Sequence, residues 1–237
     1  MPFQPYWEKP LKKCIFTLNV DNYAPELTEI TYPLIRRYAD KIGATFHIID
    51  ERRYPGWPPV YEKLQIYRLA QEMGNDWNIY IDSDALVHPD LLDVTQLISK
   101  DTVMHNGNDF VGTRWKTDRF FQRDGRGISS CNWFTVASDW CIDVWHPLED
   151  LTMEQAIERI NPTISELNTV ITPAHLIDDY TLSRNIAKYG LKFTTLMNEM
   201  KRIDRKDDYH LYHEYTITIP EKVVKLNQVL RFWGLLA

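Results

Sequence analysis

Glycine is scarce in this chain, nine in 237 residues, and none of the nine builds a G-x-G-x-x-G turn or a G-x-x-x-x-G-K-[ST] loop. Both the dinucleotide-binding turn and the P-loop are thereby excluded. Cysteine is scarcer still. Cys14, Cys131 and Cys141 form no C-x-x-C and leave an odd thiol in any pairing scheme, which fits free thiols in a reducing compartment. The zinc signature H-E-x-x-H is missing as well. No run approaches the roughly 18 apolar residues that a membrane span needs. Met1 to Pro10 lack the charged-then-apolar order of a signal peptide, so the expectation is a cytoplasmic protein with no transmembrane segment. Nor is there an excess of positive charge: the formal net charge is −6, which argues against nucleic acid as a partner.

What is present is ordinary in bulk and uneven in detail. A hydrophobic content of 44% with 25% charged residues is that of a globular protein, and 237 residues suffice for one large α/β domain or two small ones. No internal repeat or low-complexity linker divides the chain, so a single unit spanning 1–237 is expected. Eight tryptophans and thirteen tyrosines serve chiefly as core, with a minority available as flat platforms for rings.

The chain opens with alternating elements. Lys13 to Val20 reads as a strand, Glu26 to Ile42 as a helix bent near Pro33 and stopped by Gly43, and Ala44 to Asp50 as a second strand. This β-α-β start implies a parallel pair with a right-handed crossover. A proline-rich loop, Tyr54 to Pro59, leads to a helix over Val60 to Met73, and the apolar run Asn78 to Ile81 is a third strand. The expected fold is therefore α/β, a doubly wound, mostly parallel sheet flanked by helices, with a small C-terminal β/α portion. Further expectations are a short helix over Leu91 to Ile98, a strand over Phe110 to Thr113 and another over Asn132 to Ala137. Helices are expected from Asp139 towards His146, over Met153 to Ile160, and over Asp178 to Tyr189 with Gly190 as the stop; Leu191 to Leu196 is a late strand. Thr113 to Ser130, which carries Arg114, Lys116, Arg119, Arg123 and Arg126, has no hydrophobic period and reads as a long loop.

The third strand ends in Asp82-Ser83-Asp84, the one D-x-D in the sequence. Residues i and i+2 of a strand share a face, so both carboxylates can converge where the strand gives way to a loop. Two aspartates at the end of an apolar strand need a metal or a basic group to neutralise them, and hard oxygen ligands suit magnesium or manganese. The plain alternative is a turn cap at Asp82 and a solvated Asp84. Ligands of alternating sheets collect beyond the carboxyl ends of the strands, where this pair falls. With no glycine cradle, a diphosphate would be held by the metal and by basic residues such as Lys63 or the arginine-bearing loop; each of these, taken singly, reads as a solvated surface charge. Two further clusters bear chemistry. Tyr209 to Tyr215 carries His210 and His213, of which His213 is favoured to join a shared metal because it lies deeper in the apolar alternation. Asp178 and Asp179 open a helix, where one of them caps the N-terminus and the other can face a reaction centre.

With Ile15-Phe16-Thr17, Tyr61 to Ile66, Ile79 to Val87, Cys131 to Ser138, Asp178-Asp179 and a late histidine in that order, the chain resembles glycosyltransferases of the GT-A fold. The resemblance is to glycogenin-like and other small galactosyl- or glucosyltransferases and to short glycosyltransferases of large algal viruses. It spans most of residues 13–215. It implies a nucleotide-binding half over about 13–100 and an acceptor-side half over about 101–237. It also implies a Mn2+ or Mg2+ cofactor on Asp84 and His213, with Asp82 on the ribose or the metal. Thr17, Asn19, Asp50, Lys63, Asp82 and Ser83 would contact a nucleotide-sugar donor, UDP-linked by analogy, and a glycan or other hydroxyl acceptor would receive the sugar. Asp178 or Asp179 is the candidate catalytic carboxylate, and the relatives lean towards retention. Two departures stand out: Cys131-Asn132-Trp133 replaces the small-residue Asn-Ala-Gly or Asn-Gly-Gly of many relatives, and no histidine-glycine ending follows His213, which leaves His210 as the alternative ligand. The rival functions are a sugar-phosphate nucleotidyltransferase, disfavoured because Leu18 to Tyr23 holds neither glycine nor arginine, and a non-catalytic carbohydrate-binding domain.

Overall fold

The structure, a computed structural model, describes residues 10–107, 133–164, 173–205, 210–214 and 217–236. The expected strand over Phe110 to Thr113, the basic loop to Ser130 and Cys131-Asn132 lie outside the described residues.

A six-stranded mixed sheet organises the molecule. In chain order its strands are β1 (Lys13–Leu18), β2 (Ala44–Ile49), β3 (Trp77–Ile81), β5 (Thr102–His105), β6 (Phe134–Ser138) and β7 (Lys192–Thr195). In space they run β2-β1-β3-β6-β5-β7. The pairs β1–β2, β1–β3 and β5–β7 are parallel, while β6 runs antiparallel between β3 and β5. Two-residue strands β4 (Leu86–Val87) and β8 (Leu211–Tyr212) form a separate antiparallel ribbon.

Local sequence accounts for the opening. Helix α1 (Pro25–Ile42) has a proline in its first turn, carries Pro33 within, and ends on Gly43 at φ +67°, a conformation that glycine adopts without penalty. Leu27, Thr31, Ile35, Tyr38 and Ile42 recur at helical spacing and are buried. The second helix begins differently from expectation: Pro59–Gln65 is a 3-10 segment, and only Ile66–Met73 (α2) is α-helical. Five successive residues of the 3-10 segment, Tyr61 to Gln65, are buried. Glu62, fully buried, turns back to accept hydrogen bonds from Arg52 Nε, the Arg53 and Tyr54 backbone N–H groups and Gln65 Nε2 at 2.8–3.0 Å.

Other elements are shorter than expected or new. Leu91 to Ile98 contributes only a 3-10 turn, Val94–Gln96, capped by Asp93, whose Oδ1 accepts the Thr95 N–H at 3.2 Å. Asp139–Trp145 is a kinked 3-10 segment rather than a helix. Met153–Ile164 (α3) and Ile177–Lys188 (α4) match their expected positions, with Gly190 at φ +65°. Strand β5 and helices α5 (Leu196–Arg202) and α6 (Ile219–Phe232) were not foreseen. Thr218 and Glu221 form a reciprocal capping box at the start of α6, whose Leu226 and Leu230 pack with Ala24, Leu27 and Leu86. The main core lies on both faces of the sheet, one side around Phe16, Leu64, Tyr80 and Trp145, the other around Ile15, Tyr38, Ile79 and Phe134.

Candidate functional site

The three parallel strands β2, β1 and β3 end on the same edge, so Asp50, Asn19 and Asp82 follow one another along it. Antiparallel β6 begins at that edge, and the carbonyl of Trp133 accepts the Asp82 N–H at 2.8 Å. The Asp82-Ser83-Asp84 turn is pinned twice more: Ala85 N–H donates to the Asp82 carbonyl at 3.0 Å, and Thr31 Oγ1 of α1 donates to the Ser83 carbonyl at 2.5 Å. These bonds hold the two carboxylates in place before any ligand arrives.

The small ribbon selects the histidine. β4 and β8 pair Leu86 with Tyr212 and Val87 with Leu211, so one further antiparallel step sets His213 against Ala85, next to Asp84. Asp82, Asp84 and His213 each offer a ligand atom, and these atoms lie within 4.8 Å of one another. His213 Nε2 is 3.2 Å from Asp84 Oδ1 and 3.7 Å from Asp82 Oδ2. Trp133 stacks on the His213 ring at 5.0 Å. His210 goes elsewhere: its carbonyl accepts the His88 N–H and its ring stacks on His88 at 4.9 Å. Two carboxylate oxygens and one imidazole nitrogen converging in this way fit a small divalent cation. The Asp82 side chain is 26% exposed, which leaves that cluster an open side.

Two buried lysines complete the charge pattern. Lys222, on the buried stripe of α6 with Leu226 and Leu230, donates to Asp84 Oδ2. Burial works to raise the Asp84 pKa, but the hydrogen bond and charge of His213, and then Lys222, outweigh it and hold the carboxyl well below the ordinary carboxylate range. Lys63, 3% exposed, is the correction to its reading as a surface charge. Its ammonium donates to Asp178 Oδ2 at 2.6 Å, lies 3.5 Å from Asp82 Oδ1, and sits 4.3 Å from the centre of the Tyr80 ring. Burial opposes the charge on Lys63, yet Asp178 first, then Asp82 and Asp179, raise its pKa above the ordinary lysine value. Tyr80 donates its hydroxyl to Asp82 Oδ1 at 2.5 Å, so Tyr80, Asp82, Lys63 and Asp178 form one continuous network.

Asp178 and Asp179 stand in the first turn of α4, both buried. Asp178 Oδ1 also accepts the Asp179 N–H at 2.8 Å, while the N-cap position is Leu176 and makes no side-chain bond, so neither aspartate is the helix cap. Thr17 is buried at the end of β1 beside Tyr32, whose phenol burial pushes up to about 12 against the opposing Thr17 hydroxyl. Asn19 anchors the strand end through its N–H to the Ile49 carbonyl at 2.8 Å, and its Oδ1 is buried with no hydrogen-bond partner. Asp50 is exposed at the rim. Between Asn19 and α1 the backbone is strained: Asp21, Asn22 and Ala24 have φ of 58°, 52° and 44°, each costing on the order of 1–3 kcal/mol for a residue with a side chain. The turn brings Tyr23 to the cluster, its phenol pKa raised by burial and then by Asp84. Neither this turn nor Lys222 was singled out from the sequence. The one available signal for Lys222 is a lysine spaced four and eight residues before Leu226 and Leu230.

No family model matches the chain, and no curated protein matches it. Solved structures do. One is a glycosyltransferase involved in glycosylation of the major capsid of PBCV-1, at 10% identity and a TM-score of 0.48 over 92% of this chain and 99% of that one. Another is a mutant Drosophila beta-1,4-galactosyltransferase 7 in complex with manganese, UDP-Gal and xylobiose, at 11% identity and 0.44 over 86% and 71%. A third is A197 from STIV, at 12% identity and 0.40 over 78% and 82%.

Proposed function

We propose that this chain is a metal-dependent glycosyltransferase that moves a sugar from a nucleotide diphosphate sugar, UDP-linked, to a hydroxyl acceptor. The observation that carries the reading is the convergence of Asp82, Asp84 and His213 beyond the carboxyl ends of β1 to β3, flanked by the buried ammonium groups of Lys63 and Lys222. Asp82, Asp84 and His213 would hold Mn2+ or Mg2+, and a cation so held supplies electrostatic stabilisation to a departing diphosphate. Lys222 stands at the same point with a second positive charge. Lys63 fixes the direction of Asp82 and Asp178 at once, which keeps the site in register as charge develops. Thr17, Asn19, Asp50 and Ser83 line the approach for the nucleotide, and the whole chain serves as one catalytic domain with a nucleotide-binding half and an acceptor-side half.

We favour retention, and the hydrogen bonds of Asp178 support it. Its Oδ2 accepts from the Lys63 ammonium at 2.6 Å and its Oδ1 from the Asp179 N–H at 2.8 Å, so both oxygens are engaged within the protein. In this reading Asp178, with Asp179 beside it, orients the sugar rather than deprotonating the acceptor. A cytoplasmic location agrees with the buried free thiols Cys14 and Cys141, both pushed up to about 11, chiefly by burial.

Calorimetry with UDP in the presence and absence of Mn2+ tests the assignment. Metal-dependent UDP binding is expected in the wild type and is expected to vanish in Asp84→Ala while its circular dichroism spectrum stays native. Metal-independent binding, or unchanged binding in the variant, overturns it.

A further inference from the structure

The opposite edge of the sheet carries a separate cleft of about 330 Å3 between the end of α2 and the start of β3. Asn75, Asp76, Asn78, Asp139, Gln71 and Ile142 line it. Its amides are unusual. Asn78 is fully buried within β3, and Asn75 is 5% exposed. Asn75 Nδ2 donates to Asn78 Oδ1 at 3.0 Å, which leaves Asn75 Oδ1 and Asn78 Nδ2 buried and without a hydrogen-bond partner. An orphaned buried polar atom is costly, and here there are two, one acceptor and one donor. A hydroxyl group, which both donates and accepts, matches that pair.

The rim narrows the choice of ligand. Asp76 and Asp139 both pair with Lys100, at 3.4 and 3.0 Å, and Asp76 also accepts the Lys12 backbone N–H at 2.8 Å. Lys100 is the one ammonium paired with these two carboxylates, so the rim repels anions and offers carboxylate oxygens that accept hydrogen bonds from hydroxyl groups. Trp140 follows Asp139 directly, is 67% exposed, and has the Lys100 ammonium 5.8 Å from its ring centre. A large exposed aromatic face one residue along the chain from the cleft-lining Asp139 adds an apolar plane to the hydroxyl-matched polar atoms of the cleft.

We propose that this cleft binds a neutral sugar unit, with one ring face on Trp140 and its hydroxyls directed to the Asn75–Asn78 pair. Asn78 precedes Asp82 by four residues of strand, roughly 13 Å, so the two sites lie on opposite edges of the sheet. The inference goes beyond the transfer reading and stands without it.

The test is a titration of the full chain with maltose, lactose and cellobiose into the millimolar range, followed by backbone amide shifts in NMR. At least one disaccharide is expected to give saturable shifts at residues 74–78 and 139–142, in the wild type and in Asp84→Ala alike. The shifts are expected to disappear in Trp140→Ala and in Gln71→Arg, both exposed positions whose replacement leaves the core intact. No saturable shift with any of the three sugars overturns the proposal. So do shifts that persist unchanged in both variants, or shifts confined to the neighbourhood of Asp84.

Discussion

Replacing Lys222 by methionine removes the ammonium from Asp84 while keeping a long apolar side chain on the buried stripe of α6. Lys222 is 7% exposed and Asp84 6%, so the pair is out of water on both sides. Breaking a buried ion pair from one side costs about 3–5 kcal/mol, because the other charge is left uncompensated. His213, 3.2 Å from Asp84 Oδ1, still faces the carboxylate, which sets the expectation at the lower end, about 3 kcal/mol. For a chain of this size that is a fall in Tm of roughly 6–12 °C. A divalent cation reverses part of the loss. Ligand that binds only the folded state contributes about 2.7 kcal/mol at a hundred times its Kd. In the wild type the ammonium on Asp84 opposes the cation, whereas in Lys222→Met the cation takes over its neutralising role. The Mn2+-induced rise in Tm is therefore expected to be larger in Lys222→Met than in the wild type, and Lys222→Arg is expected to resemble the wild type in EDTA. Differential scanning calorimetry in EDTA and in MnCl2 measures both quantities. The pH dependence is fixed by the two shifts. Asp84, lowered from 3.8, contributes stability that is present above that value and lost as pH falls through its folded pKa. Lys222, raised from 10.5, contributes stability that is complete below that value and lost as pH rises through its folded pKa. The gap between wild type and Lys222→Met is accordingly flat from about pH 5 to pH 9. Equal melting of the two proteins in EDTA, or equal increments with Mn2+, would refute the reasoning.

Two further outcomes follow from the buried network. Lys63→Met leaves Asp82 and Asp178 without their shared cation and is expected to cost about 3–5 kcal/mol in urea unfolding. Adding Asp178→Asn to it is expected to recover part of that loss, and simple additivity of the two substitutions would contradict a shared network. Glu62→Gln keeps one acceptor oxygen for the Glu62 contacts but sets an amide NH2 against two of the four donors, for an expected loss of about 2–6 kcal/mol. A loss below about 1 kcal/mol in urea would show that the Arg52–Trp57 loop does not depend on that carboxylate.

The legible parts of the sequence were those written in local chemistry. Gly43 and Gly190 mark helix ends because the backbone there needs a positive φ, and Asp82 and Asp84 declare a shared point through their two-residue spacing at the end of an apolar strand. What depends on pairing with a distant segment was harder. Whether His210 or His213 reaches the aspartates is decided by the β4–β8 register, and two-residue strands leave almost no periodic trace. Strand β5, four residues long, owes its identity to β6 and β7 on either side. Lys63 and Lys222 were illegible as buried cations for a related reason. A lysine has the same composition on a surface as in a core, and only the carboxylates placed opposite by the fold distinguish the two.

Charge balance connects these residues to the proposed chemistry. Asp82 and Asp84 bring two carboxylates to the end of β3, where Lys222 pairs with Asp84 and Lys63 is shared between Asp82 and Asp178. The shorter contact of Lys63 is to Asp178, at 2.6 Å against 3.5 Å to Asp82, so Asp82 holds the weaker half of a shared ammonium. A carboxylate at the end of an apolar strand is costly to hold without a close positive partner. A divalent cation on Asp82, Asp84 and His213 would bring that charge to Asp82, with the imidazole acting as a neutral ligand. Asp82 is also the most exposed of these groups, at 26% of its side chain. It is the carboxylate that meets solvent, and hence the one through which a cation and its phosphate ligands would enter.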